Sequence, residues 1–426
     1  MIIELTLENF LSIKDEQTFS MYAEKNLKKH SDNIAYSDTK YATLKSAAIF
    51  GANASGKSNL LFAFRAIHHV ITDSHKFDQL EEINCYTPYL LSRATKIKPS
   101  MLSVEFWLNE CRYKYSISFD RNNIYSESLY FYPNTQPAKI FERTSPSEWR
   151  ENNGITFGSH YKGGKKQFAY FPNNSYLSIA GSSPESPAFI REVFGYFRDS
   201  WSFLTNGESQ VSHWEKDETA VKAMKRLMSC VDLGISDFKI KQIEASKEQL
   251  DVIKDAPDDV RQHMLSMWTK ETVFLHADEE GQLVELSPAL ESLGTKRLFQ
   301  ALPSILLALK DGLVAFCDEI ESSYHSHIVE FLLKIFHDPE INIHNAQLIF
   351  TTHNMALLDS TFMRKDQLWF AEKHCGSTNY TSLVEFDSSL RDNSPFDKWY
   401  DEGRLGGIPS IDYGRVSEVL KEIVRD

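Results

Sequence analysis

Residues 100–131 alternate apolar and polar side chains with a period of two. Leu102, Val104, Phe106 and Leu108 are followed by Tyr113, Tyr115, Ile117 and Phe119, then by Ile124. Such alternation puts one face of a strand on a core and predicts an antiparallel meander, with turns at Asn109-Glu110 and at residues 120–123. Residues 1–10 alternate in the same way and read as a strand. Residues 45–50 read as a short buried strand, and residues 347–352 as a β-rich run. The uniformly apolar run 313–317 reads as a parallel strand buried on both faces. The period becomes helical in residues 59–68, where Leu60, Phe64 and Ile67 share a face, and again from about residue 298 to 310. Residues 133–187, rich in Pro, Gly, Ser and Asn, read as strands and loops. From residue 187 to 268 the pattern is helical, with Phe189, Val193, Phe194 and Phe197 on one face. Pro187 suits the first turn of that helix, where its missing N–H is no loss. The charged stretch 241–270 fits a helical arm, but no sustained heptad supports a long coiled coil.

Chemistry enters where strand gives way to helix. Residues 51–58 read GANASGKS, which fits G-x-x-x-x-G-K-[ST] with Gly51, Gly56, Lys57 and Ser58. Strand, glycine loop and helix is the order that points backbone N–H groups and a positive helix end at phosphates. Lys57 is placed to reach the β- and γ-phosphates of a nucleotide, and Ser58 to ligate Mg²⁺. The run 313–317 closes on two carboxylates, Asp318 and Glu319. Acids at the C-terminal end of a buried parallel strand stand where open α/β sheets bind ligands. Asp318 suits the magnesium, and Glu319 suits an attacking water. An aspartate alone serves many P-loop proteins, whereas the Asp-Glu pair favours hydrolysis. ATP is expected over GTP, because no Asn-Lys-x-Asp guanine motif is present.

Two further motifs follow in order. Residues 291–297 read ESLGTKR before a helix, and residues 348–353 read LIFTTH, ending in His353. Here the chain resembles the ABC-type ATPases in their RecF/SMC/OLD-like branch. The resemblance implies an α/β fold: a P-loop ATPase head with a mixed β-sheet flanked by helices, an inserted β-subdomain and a short helical arm. It implies a nucleotide cradle of Gly51, Asn53, Ser55, Gly56, Lys57, Ser58 and Asn59, with Ser58 and Asp318 on the metal. Glu319 and His353 become the catalytic pair, His353 as the switch histidine that touches the γ-phosphate. Ser292, Gly294 and Thr295 become a signature acting on ATP held by the opposite subunit. That signature departs from the family pattern: Glu291 replaces Leu, Leu293 replaces Gly, and Thr295 stands where Gln is common. His325 falls in the family's dimer-contacting loop.

The ending of residues 398–409, KWYDEGRLGGIP, looks like that of the RloA-type ATPases of bacterial defence loci. Their relatives include the ATPase half of two-component anti-phage systems such as PARIS. The implied organisation is an N-terminal ATPase lobe (1–84), an inserted β-rich subdomain (85–186), a helical arm or lid (187–272) and a C-terminal ATPase lobe (273–426). The implied partners are a second copy or a higher oligomer joined through ATP-sandwiched heads, a separate effector (a TOPRIM or other nuclease, or a toxin), and a DNA or phage-protein trigger. No TOPRIM-like acidic set follows His353, so a nuclease is expected on another protein. Two other readings use the same loop. A RecF-like, ATP-gated DNA repair clamp would show salt-sensitive DNA affinity. A small-molecule or polynucleotide kinase leaves the signature and His353 without purpose.

Composition bounds these readings. With 42 % hydrophobic and 25 % charged residues among 426, the chain is ordinary soluble globular material. A formal net charge of −13 argues against a basic groove over the whole surface, and leaves only local basic stretches such as residues 25–30 and 161–166. Five scattered cysteines without C-x-x-C spacing fit free thiols in a reducing cytoplasm. Glu4 and Glu8 interrupt the first apolar residues, so no signal peptide is expected there. No segment approaches the roughly 18 apolar residues of a membrane span.

Overall fold

The run Ser46–Phe50 is buried along its whole length. It is the strand that centres the larger of two frameworks. The computed structural model describes all residues except 36–40, 145–153, 205–213, 232–233, 255, 257–260, 263, 266–267, 322–325, 359–360, 387–393, 407–411 and 426. Two compact units emerge. One comprises Met1–Phe203, Ala308–Glu321 and Ser326–Asp426; the other is built on Leu204–Leu307.

In the first unit a six-stranded sheet runs in the order Trp201–Leu204, Val314–Cys317, Gln347–Thr352, Ser46–Phe50, Leu368–His374, Ser377–Ser382. Val314–Cys317, Gln347–Thr352, Ser46–Phe50 and Leu368–His374 pair in parallel, and the last strand returns antiparallel. The register sets Cys317 against Phe350, and Thr352 against Phe50. The residues that follow these strands, Asp318, His353 and Gly51, therefore leave the sheet at one edge, its C-terminal edge. Helix Lys57–Asp73 packs on this sheet through Phe64, whose ring lies 4.8 Å from Phe316 and 5.7 Å from Trp201. Each of these side chains stabilises the unit by about 1.5–3 kcal/mol when fully buried.

A seven-stranded sheet belongs to the same unit. The expected meander is there as Ser100–Leu108, Cys111–Phe119 and Ile124–Tyr132, antiparallel throughout. Asn109 and Glu110 both take positive φ, 49° and 59°, as a two-residue hairpin turn of type I′ requires. The meander is not free-standing, because Ile2–Glu8 pairs with Ser100–Leu108 on one side and Gln17–Ser20 on the other. The buried amide of Gln347 ties this sheet to the central one. Its Oε1 accepts the Ile2 N–H at 2.6 Å and its Nε2 donates to the Ile2 carbonyl at 3.0 Å.

The second unit carries an antiparallel sheet of Asp237–Gln242, Lys270–Ala277 and Leu283–Leu286, with helices Glu218–Cys230 and Lys247–Val252. Phe299 meets this sheet, with ring centroids 4.8 Å from Phe238 and 5.2 Å from Phe274. The helical reading of residues 187–268 holds for Ala188–Ser200, Glu218–Cys230 and Lys247–Val252, and is corrected at Trp201–Leu204 and Asp237–Gln242. Trp201–Leu204 is a strand because Trp201 is buried against Phe64 and Phe316, and tertiary packing overrides a local period. Asp237–Gln242 alternates Phe238 and Ile240 with lysines that reach Glu285 on the third strand, so its charge disguised a strand. Among the described residues no helix is long and apolar enough to cross a membrane.

Candidate nucleotide site

The loop after Ser46–Phe50 is shaped by close contact. A Cβ at Gly51 would lie 2.5 Å from the Ala371 carbonyl and 2.5 Å from Ser55 Oγ, so only glycine fits. Gly56 has φ 104°, and a Cβ there would lie 2.3 Å from Thr378 Oγ1. Side chains brace the loop by its carbonyls. Thr378 donates to the Ser55 carbonyl (2.7 Å), Tyr380 to that of Gly56 (2.8 Å) and Lys373 to that of Ala54 (3.0 Å). Asn59 Nδ2 donates to Ser12 Oγ at 2.6 Å, which ties the first helical turn to the N-terminal segment. Asn53 is exposed at the loop's tip, and Ser55 is buried with no partner for its hydroxyl among the described residues. Helix Lys57–Asp73 begins directly behind the loop, so its positive end faces whatever anion the loop receives.

Lys57 is folded onto its own loop. Its ammonium donates to the carbonyls of Gly51 (2.9 Å) and Ala52 (3.0 Å). Burial lowers its pKa, while the charges of Glu319, Glu321 and Asp318 act to raise it. The lysine is thus within electrostatic reach of three carboxylates from a distant part of the chain.

The turn that carries those carboxylates is bonded to the helix start and to the neighbouring strand. Asp318 Oδ1 accepts from Ser58 Oγ at 2.9 Å and from Thr351 Oγ1 at 2.6 Å. Glu319 adopts φ 49°, an uncommon backbone state for a residue with a side chain. Its N–H is secured by Thr351 Oγ1 at 2.7 Å, and the next N–H, of Ile320, bonds the Thr351 carbonyl at 3.1 Å. Glu321 reaches the neighbouring strand end, where its Oε1 accepts the backbone N–H of His353. Burial and the nearby Lys57 hold the His353 imidazole below its ordinary pKa, against the charges of Glu321, Glu319 and Asp318. It is therefore a neutral ring at pH 7. The adjacent Cys317 thiol is pushed up to about 12 by burial and by Asp318, so it is not a nucleophile.

The donor set can be tested against magnesium, which takes hard oxygens in near-octahedral geometry. Neighbouring ligands at about 2.0–2.1 Å from such an ion lie about 2.9 Å apart. Ser58 Oγ and Asp318 Oδ1 show that spacing, 2.9 Å. No group of three or more His, Cys, Asp or Glu side chains that could hold a metal occurs among the described residues. The residues fit an ion shared with phosphate, not an all-protein cage.

The signature residues belong to the second unit. Ser292 precedes helix Leu293–Asp311 and caps it, since its Oγ accepts the Thr295 N–H at 3.1 Å. Ser292 is exposed, Gly294 half-buried and Thr295 buried. Glu291, where the family has Leu, pairs with His276 at 2.6 Å. His325 lies outside the described residues. The structure thus gathers Gly51, Ser58, Asp318, Glu319 and His353 at one sheet edge. Thr351 and Glu321 were missed from sequence. Their signals were a hydroxyl next to the last residue of an apolar strand and a third acid two positions after the pair.

The SMC head domain from Thermotoga maritima is similar in structure, at 14 % identity and a TM-score of 0.40, over 89 % of this chain and 98 % of that one. No curated protein matches. Residues 46–359, well over half of the chain, match the family model described as "AAA domain, putative AbiEii toxin, Type IV TA system". The chain belongs to that family of P-loop ATPase domains.

Proposed function

We propose that this chain binds ATP with magnesium at the C-terminal edge of its six-stranded sheet and hydrolyses it. The observation that carries this reading is the Ser58–Asp318 hydrogen bond, which joins residues 260 positions apart at the spacing of two ligands of one ion. Lys57 turns from the carbonyls of Gly51 and Ala52 to the β- and γ-phosphates, an anion stronger than either. Asn53, Ser55, Gly56 and Asn59 complete the cradle. Glu319 orients and deprotonates a water, whose oxygen attacks the γ-phosphorus as the bond to the bridging oxygen breaks. The neutral His353 ring bonds the γ-phosphoryl oxygens. Magnesium, when bound, offsets phosphate charge and polarises the transferred group.

The same reading extends to assembly. Ser292, Gly294 and Thr295 of a second copy close the site from across the nucleotide, so ATP joins two heads and hydrolysis releases them. The exposed, capped position of Ser292 supports this. The chain then acts in the cytoplasm, as an RloA-type sensor or regulator with a separate effector, a nuclease or toxin, in bacterial anti-phage defence. The toxin–antitoxin wording of the family description supports a paired effector. A pull-down of tagged Glu319→Gln protein from its native host with Mg·ATP tests it. Recovery of a stoichiometric nuclease or toxin is expected. Recovery of DNA or repair proteins alone would replace the defence reading with a repair clamp.

A further inference from the structure

Three acids end the strand Val314–Cys317, and the hydrolytic reading uses only two. Glu319 turns the backbone into the left-handed region, and Ile320 re-engages the neighbouring strand through the Thr351 carbonyl at 3.1 Å. The turn therefore delivers the next side chain, Glu321, to the end of Gln347–Thr352. There Glu321 Oε1 accepts the N–H of His353, a residue already past the strand. The residues after His353 are fixed locally: Asn354 N–H bonds Thr352 Oγ1 at 3.0 Å, and Ala356 N–H bonds Asn354 Oδ1 at 3.1 Å. His353 itself is anchored through its N–H by Glu321, from the acidic turn. Glu321 is also the leading charge favouring the proton on the His353 ring. Its other oxygen, Oε2, is buried without a hydrogen-bond partner among the described residues. A carboxylate oxygen held that way is unfavourable for folding, so packing alone does not account for a glutamate here.

We propose that Glu321 is a positioning residue of the hydrolytic site, fixing His353 at the γ-phosphate end of the cradle by bonding its backbone, and that it is not a second base. The inference rests on the ATPase reading. It makes the acidic turn and the switch loop one rigid piece, so that the water-orienting Glu319 and the phosphate-sensing His353 move together. The oxygen atom matters, not the charge. An amide at this position still offers a carbonyl to the His353 N–H, while aspartate is one methylene too short to reach it.

The test measures steady-state ATP turnover and nucleotide affinity for the wild type, Glu319→Gln, Glu321→Ala, Glu321→Gln and Glu321→Asp, with thermal melts to verify folding. Glu321→Ala and Glu321→Asp should lose about 10- to 100-fold in kcat while ATP affinity stays within about twofold. Glu321→Gln should recover most of the rate, in contrast to Glu319→Gln. If the alanine protein does not fold, the Gln and Asp pair decides alone. A loss in Glu321→Gln as large as in Glu321→Asp would show that an oxygen acceptor at glutamate's reach is not sufficient, and would overturn the proposal. So would wild-type kcat in Glu321→Ala or Glu321→Asp, or a loss confined to affinity. If the wild type hydrolyses ATP and Glu319→Gln does not, such results refute only the Glu321 assignment. A wild type without turnover removes both.

Discussion

Thr351 and Asp318 are joined directly: the threonine hydroxyl donates to Asp318 Oδ1 at 2.6 Å. Thr351 Oγ1 in turn accepts the Glu319 N–H at 2.7 Å, so a single buried hydroxyl holds the Asp318 carboxylate and the Glu319 backbone. Thr351→Val keeps the shape and removes both bonds. It should destabilise the protein by about 1–3 kcal/mol, the usual effect of leaving a buried donor unpaired. It should also slow turnover by at least about tenfold. Thr351→Ser should restore most of each. Chemical denaturation alongside an ATPase assay separates the two effects.

Lys57→Ala should abolish productive nucleotide binding, because the loop then keeps its backbone donors but loses the cation that reaches the outer phosphates. Titration with a fluorescent ATP analogue measures this. Normal affinity and turnover in the variant would remove Lys57 from the site.

Ser292→Arg places a long cation on the exposed cap of helix Leu293–Asp311. It should block ATP-dependent pairing and leave ATP binding by the single chain intact, with about 1 kcal/mol lost from the cap. Light scattering of the Glu319→Gln protein with and without Mg·ATP, carrying or lacking Ser292→Arg, reads the effect as mass. Unchanged pairing would detach the signature from the site.

His337 gives the fold a pH dependence. Burial pushes its imidazole down to about 3 from 6.5, and its Nε2 lies 2.8 Å from the hydroxyl of Ser46, the first residue of the strand leading to the loop. The ring is neutral in the folded chain but protonates near 6.5 when unfolded. Its contribution is thus complete above pH 6.5 and is lost as pH falls toward 3, at about 1.4 kcal/mol per pH unit. Denaturant midpoints measured from pH 7 to pH 4 should fall more steeply for the wild type than for His337→Gln. Parallel curves would contradict the assignment.

Much of this site was legible in the chain because its chemistry is local. Gly51, Gly56, Lys57 and Ser58 lie within one turn and its helix, and Asp318 and Glu319 close one apolar run. The parallel strands could be read because Val314–Cys317 and Ser46–Phe50 are apolar on both faces. What escaped was set by tertiary pairing. Thr351 looks like any strand threonine until the register places Phe350 beside Cys317. Glu321 gains meaning only because the left-handed turn at Glu319 carries it across to His353. Asp237–Gln242 falls in a stretch that reads as helical until Phe238 is seen against Phe299. Thr378 and Tyr380 shape the glycine loop from more than 300 residues away, through contacts that no spacing rule encodes.

The most direct test of the account compares ATP binding and turnover by the wild type and by Glu319→Gln, each with magnesium. The wild type should hydrolyse ATP. Glu319→Gln should bind ATP with similar affinity and lose about 10²–10⁴ in rate, as expected for a missing general base. Turnover by Glu319→Gln at the wild-type rate, or no ATP bound by either protein, would contradict it.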